Sequence, residues 1–219
     1  MGRVQPLPAT ATRSGVSGET RPNEVRRAGS LDLAQLEKAA GAQPPALLPR
    51  LCELIEKTAG LPEPEKLARV NEFFNDHISY VSDQEQFDTQ DQWSTPLGLL
   101  RSERGDCEDL AIAKYMTLRA LGVPDSRLRI TYVRAQTAGR VEPHMVLAYH
   151  PSAGAQPLVL DNLTSRIQPA CERRDLSKSV YSFNAEHVWV ADQQASYGPS
   201  RLSRWVEVLA QARREGFVQ

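Results

Sequence analysis

Apolar residues recur at helical spacing along much of this chain. Leu31 to Ala40 and Pro45 to Thr58 read as helices, the second with Leu47, Leu48, Leu51, Leu54 and Ile55 on one face. Pro64 to Ile78 carries Leu67, Val70, Phe73, Phe74 and Ile78 as its stripe. Cys107 to Leu121 is different, because Leu110, Ala111, Ile112, Ala113, Tyr115, Met116, Leu118 and Leu121 leave little polar face. That pattern predicts a helix buried in the core, stopped by Gly122 and Pro124. Leu202, Trp205, Val206 and Leu209 mark a last amphipathic helix, with Arg201, Arg204, Arg213 and Arg214 on its polar side.

Between these stretches the period changes. Tyr80 to Arg104 loses periodicity and reads as a polar loop, with Asp83, Asp88, Asp91, Gln92 and Trp93 ahead of Ser94-Thr95-Pro96. Arg127 to Arg134 alternates as a strand does, and Val188 to Val190 reads as a short final strand. Arg173 to Leu176 and Tyr181 to Asn184 read as a polar-then-aromatic connection. His144 to His150 and Gln156 to Asp161 flank a turn containing Pro151 and Gly154, which predicts a hairpin. If His150 pairs with Ala155, His144 falls directly opposite Asp161, within reach of a hydrogen bond on the same face.

That register gives the buried helix a chemical meaning. Helix amino termini favour thiolates, and Cys107 stands at one; a cysteine alone, however, is more often an inert apolar residue. A neighbouring imidazole able to take the thiol proton, oriented by a carboxylate, supplies the rest of a nucleophilic triad: Cys107, His144 and Asp161. Gln92 and Trp93, in the loop ahead of the cysteine, are candidate oxyanion or substrate donors, although the tryptophan also suits a core anchor. Asp106, Glu108 and Asp109 work against the thiolate, since nearby negative charge raises a thiol pKa. Three carboxylates at one turn suit a hard cation such as calcium, which would reverse that field, although the spacing is not that of an EF-hand. His77, His150 and His187 read as capping, structural or exposed residues, Cys52 as a packed thiol, and Cys171 carries no chemical argument.

Composition narrows the partners. With 219 residues and a net charge of −1, nothing predicts binding to nucleic acid or to an anionic membrane, and no apolar run is long enough for a membrane span. The three cysteines are an odd number, so at least one thiol has no internal disulfide partner. Residues 1–30, rich in Pro, Thr, Ser, Gly and Arg, are expected to form a disordered tail before one domain over residues 31–219. A secretory signal needs an apolar core of about 7–15 residues, and no such core is visible in that tail.

The run Asp91 to Pro96, the run Gly105 to Tyr115, His144 to Tyr149 and Pro157 to Leu163, taken in order, resemble the bacterial transglutaminase-like cysteine proteinases, best known from the LapG-type periplasmic proteases. The resemblance spans roughly Pro64 to Val190. It implies a papain-like, transglutaminase-like α+β fold, with the nucleophile opening a central helix that packs on an antiparallel sheet. It implies Cys107 as nucleophile, His144 as base and then acid, and Asp161 as orienting carboxylate. It also implies calcium (Ca2+) held by Asp106 and Glu108, with Asp109 as a further candidate. Members of this kind clip a large surface adhesin at a paired-alanine site, releasing biofilm cells, and are restrained by an inner-membrane receptor for cyclic di-GMP. Periplasmic location and those two partners are therefore expectations from resemblance. Two other functions use the same residues: amide transfer to an amine by the same triad, and a non-catalytic peptide- or calcium-binding module.

Overall fold

The computed structural model describes residues 27–28, 31–81 and 93–217. The expected tail lies outside the described residues except for Arg27–Ala28, which form strand β1 and pair antiparallel with β2 (Leu31–Asp32). Three helices follow, α1 (Leu33–Ala40), α2 (Leu48–Thr58) and α3 (Glu63–His77), burying the predicted Leu51, Ile55, Leu67, Val70 and Phe74. Strand β3 (Ser79–Tyr80) then leads out of the helical layer.

The stretch expected as a polar loop contains a helix, α4 (Pro96–Ser102). Thr95 caps it by accepting the Gly98 N–H, and Pro96 occupies its first turn, where a missing N–H costs nothing. The signal was therefore local capping chemistry rather than periodicity, which seven residues cannot establish. Strand β4 (Arg104–Gly105) pairs in parallel with β3 and delivers the chain to α5 (Cys107–Ala120).

Helix α5 is buried on nearly every side, as its continuous apolar run predicts, and packs between α3, α4 and the sheet. The sheet comprises β5 (Leu128–Thr137), β6 (Arg140–Tyr149), β7 (Leu158–Leu160), β8 (Gln168–Pro169), β9 (Tyr181–Phe183), β10 (Val188–Val190) and β11 (Gln193–Gln194). Its order is β11-β10-β9-β5-β6-β7-β8, with every pair antiparallel. Helix α6 (Ser203–Arg214) closes the core with Trp205, which packs against Tyr115 and Phe183. This is the expected α+β, papain-like arrangement of a helix on an antiparallel sheet.

Two expectations about strands are corrected. Tyr181–Phe183 is an inner strand rather than a connection, because Tyr181 stacks on Tyr132 and Phe183 on Trp93 across the sheet and core. The main partner of β6 is β5, through a two-residue turn at Ala138 and Gly139, whose φ values of 47° and 81° suit a type I′ hairpin. The expected β6–β7 hairpin also forms, but with a longer loop: Tyr149 pairs with Leu158 and Leu147 with Leu160. Pro157 has no N–H for the ladder, while His150 donates its own to Arg127 on the other side. Asp161 consequently continues the register opposite Val146, not opposite His144. The slip is of two residues, so both side chains keep the same face and meet along the diagonal.

Candidate active site

The short parallel β3–β4 pairing holds the chain just ahead of Cys107, with Val81 donating to the Gly105 carbonyl at 3.0 Å. Gly105 has no room for a side chain. A Cβ there would stand 2.5 Å from Leu99 Cδ1 and 2.8 Å from Asp109 Oδ2. Asp106 caps α5: its Oδ1 accepts the backbone N–H groups of Glu108 at 3.0 Å and Asp109 at 3.3 Å. Cys107 is thereby the first residue of a buried helix, as predicted.

The sulfur lies in a mixed field. Burial pushes the Cys107 thiol well above its ordinary pKa, and the charges of Glu108 and Asp106 push it further. In this state Sγ donates to Glu108 Oε2 at 2.7 Å. The Met145 N–H acts in the other direction by hydrogen-bonding the sulfur, which sets Cys107 against β6 at the residue following His144. Tyr80 feels the same surroundings: partial burial, then the charges of Cys107, Asp106, Glu108 and Glu142, push its phenol up to about 12.

His144 and Asp161 are joined as expected, with Nε2 2.7 Å from Oδ1 and both side chains buried. With Nε2–H donating to the carboxylate, Nδ1 is left as the basic nitrogen of the neutral ring. Burial opposes ionisation of Asp161, but the hydrogen bonds and charges of His144 and Arg173 outweigh it and hold its pKa at about 2. Arg173 Nη2 donates to Asp161 Oδ2 at 2.6 Å and to Asp175 Oδ2 at 2.6 Å. The backbone N–H groups of Asn162 and Leu163 also donate to Oδ1, at 2.7 and 3.2 Å.

Sequence reasoning missed three supporting residues. Arg173, by sequence, belongs only to a polar connection. Asn75 Nδ2 and Lys114 Nζ donate to the Asp161 carbonyl at 2.8 and 3.1 Å, and Lys114 also donates to Asn75 Oδ1 at 2.7 Å. Lys114 did leave a signal: it is the one charged residue in the run Leu110 to Met116, and a lysine rarely enters such a setting without partners.

The predicted oxyanion donors fare differently. Gln92 lies outside the described residues. Trp93 stacks on Phe183 with centroids 5.6 Å apart, and its buried Nε1 has no hydrogen-bond partner among the described residues. The ring therefore anchors the core and still has a donor to offer.

The predicted calcium ligands already have structural duties. Asp106 is the helix cap, Glu108 accepts the thiol, and Asp109 Oδ1 accepts the Ser94 N–H at 2.7 Å. Among the described residues, no three His, Cys, Asp or Glu side chains are grouped as metal ligands. The donor chemistry of Asp106 and Glu108 nevertheless fits a hard cation: both are oxygen donors, and their charges add to burial in raising the thiol pKa. Asp109, fully buried and tied to Ser94, fits less well.

Residues 55–196 match a family model described as bacterial transglutaminase-like cysteine proteinase. A structure of EGTA-treated LapG from Legionella pneumophila is 36% identical with a TM-score of 0.72, covering 82% of this chain and 96% of that one. Calcium-bound LapG from the same organism is also 36% identical, with a TM-score of 0.71, covering 82% of this chain and 98% of that one. A search of curated proteins returns no match.

Proposed function

The chain belongs to the bacterial transglutaminase-like cysteine proteinase family and is a cysteine peptidase; from that premise we propose that it is a calcium-dependent endopeptidase whose triad is Cys107, His144 and Asp161. The observation that carries the assignment of roles is the buried His144–Asp161 hydrogen bond of 2.7 Å, on the strand whose next residue hydrogen-bonds the Cys107 sulfur.

In this reading His144 Nδ1 takes the thiol proton as the sulfur attacks the carbonyl carbon of the scissile peptide. Asp161 holds the imidazole by its Nε2–H and stabilises the imidazolium, which Arg173 supports from behind. The Cys107 amide N–H and the Trp93 indole are the candidate donors to the oxyanion. The imidazolium then protonates the leaving amine, and water delivered through the same ring hydrolyses the thioester. Asp106 and Glu108, with Asp109 as a further candidate, would hold the calcium ion, which supplies positive charge beside the thiol. The existence of calcium-bound and EGTA-treated forms of LapG supports a role for calcium.

The proposal extends to a large surface adhesin as substrate, an inner-membrane cyclic di-GMP receptor as inhibitor, and a periplasmic site of action. Its support is similarity to LapG. Among the described residues, no helix is long and apolar enough to cross a membrane.

The test is cleavage of a purified adhesin segment carrying a paired-alanine site, with products weighed by mass spectrometry. Wild type with calcium is expected to cut, while wild type with EGTA and Cys107→Ala with calcium are not. Cutting by Cys107→Ala would overturn the assignment. A labelled amine appearing in the product would reassign the reaction as amide transfer.

A further inference from the structure

The two faces of the sheet are used differently. Ile130, Met145, Leu147, Leu160 and Phe183 point into the main core under α5, whereas Val133, Val146 and Val159 form a separate small apolar cluster on the opposite face. That second face is the floor of a cavity of about 540 Å³, a size suited to a small ligand. The cavity rim is polar and exposed, including Gln156, Ser177 and Lys178.

Its unusual property is a surplus of donors. Arg129, Arg173, Ser179 and Ser182 all line this one cavity, and each carries a buried donor atom (Nε, Nη1, Oγ and Oγ) without a hydrogen-bond partner among the described residues. Arg173 is 5% exposed and Ser182 is 1% exposed, so neither residue is ordinary surface. Buried donors left unmatched are costly, more so when charged, and four in one place form a pattern. Guanidinium nitrogens only donate, and hydroxyls can donate, so the complementary ligand brings acceptor oxygens. The valine floor asks for an apolar body beside them.

We propose that this cavity binds a small carboxylate with a short aliphatic portion, its oxygens meeting Arg129, Arg173, Ser179 and Ser182 and its tail lying on Val133, Val146 and Val159. Arg173 makes the site consequential. The same side chain that lines the cavity holds Asp161 Oδ2 through its Nη2 at 2.6 Å, so occupancy reaches the carboxylate that orients His144. The binding claim stands on the cavity alone; the effect on turnover rests on the proposed triad.

The experiment is calorimetric titration of the full chain, using Cys107→Ala so that peptidase activity plays no part. Hexanoate tests a free acid, and acetyl-Ala-Val with a free carboxyl terminus tests a chain end. Acetate, inorganic phosphate and the peptide amide are controls. At least one of the two carboxylate probes is expected to bind more tightly than every control. Its affinity is expected to fall about tenfold or more in Arg129→Gln and in Ser182→Ala, the equivalent of losing one charge-assisted hydrogen bond. Thermal melting checks that both variants are folded. Overturning results are binding of neither probe, equal binding of phosphate or acetate, or undiminished affinity in both folded variants. If a probe binds but leaves the cleavage rate of wild type unchanged, the link from Arg173 to the triad is refuted while the site itself stands.

Discussion

Lys114 Nζ donates to the backbone carbonyl of Asp161 at 3.1 Å, from a position two turns along the same helix that Cys107 opens. One rigid element therefore presents the sulfur at its end and braces the carboxylate residue from its side. Asn75, from α3, completes the brace by bonding both the lysine and the same carbonyl. Placement of the carboxylate that orients the imidazole thus depends in part on the packing of α3 and α5 against the residue that follows β7.

Lys114→Met keeps the length and loses the donor. The expected result is a fall in kcat of about tenfold to a hundredfold with KM little changed, because a small misplacement of catalytic groups carries that cost. Steady-state kinetics on a cleaved adhesin segment check this. A KM effect alone would assign Lys114 to substrate binding.

The same lysine has a stability signature. Burial lowers its pKa from 10.5 to about 7, with the Asp161 charge opposing the shift. Below 10.5 the unfolded chain gains a proton that the folded one resists, so this group destabilises the fold increasingly as pH falls to about 7, and constantly below that. Lys114→Met removes this slope. The melting temperature of the variant relative to wild type is expected to be higher at pH 7 than at pH 10.

Asp161 works with the opposite sign. Its carboxyl, held at about 2 against a usual 3.8, contributes about 2 kcal/mol that is present above pH 3.8 and lost as pH falls through 2. Arg173→Met removes one of the two side-chain partners that hold it there, so acid unfolding should begin at higher pH. At neutral pH the variant should lose about 3–5 kcal/mol, the usual cost of leaving a buried charge with a partner missing. Circular dichroism across pH 2 to 7 measures both effects, and unchanged acid behaviour would separate Arg173 from the carboxylate.

Gly105→Ala places a methyl group against Leu99 and the Asp109 carboxylate, at separations real contacts do not reach. The expected cost is about 1–3 kcal/mol, with activity reduced because the displaced residues position the first turn of α5. Equal melting temperatures for variant and wild type would mean that the β3–β4 clamp gives way without strain.

Much of this was legible in the sequence for reasons that differ by element. The all-round apolar run of α5 could be nothing but buried, and the acid-flanked cysteine at its start marked the site. The His144–Asp161 pair was found through a register wrong by two residues, because parity, not exact pairing, decides the face. Helix α4 was missed since seven residues show capping signals but no period. Tyr181–Phe183 was missed because a three-residue inner strand is stabilised by stacking on Tyr132 and Trp93, contacts distant in sequence. Arg173 was invisible for the same reason: nothing near it in the chain announces a partner at Asp161.

Calcium is expected to raise the melting temperature, and chelation to reverse the rise. Asp106→Asn combined with Glu108→Gln isolates the charge, since asparagine still caps α5 while alanine would also cost about 1 kcal/mol of helix stability. The double variant should melt at the same temperature with calcium or EGTA. A wild type indifferent to both would remove the ion from the mechanism.

The triad is tested most directly by the order in which the cysteines react with iodoacetamide near neutral pH in the presence of calcium, followed by peptide mass spectrometry. Cys107 is 6% exposed and Cys171 lies on the surface, so access alone favours Cys171. Activation by His144 predicts that Cys107 is alkylated first, and that this priority disappears in His144→Ala. Alkylation of Cys171 before Cys107 in the wild type, with the histidine variant behaving identically, would contradict the account.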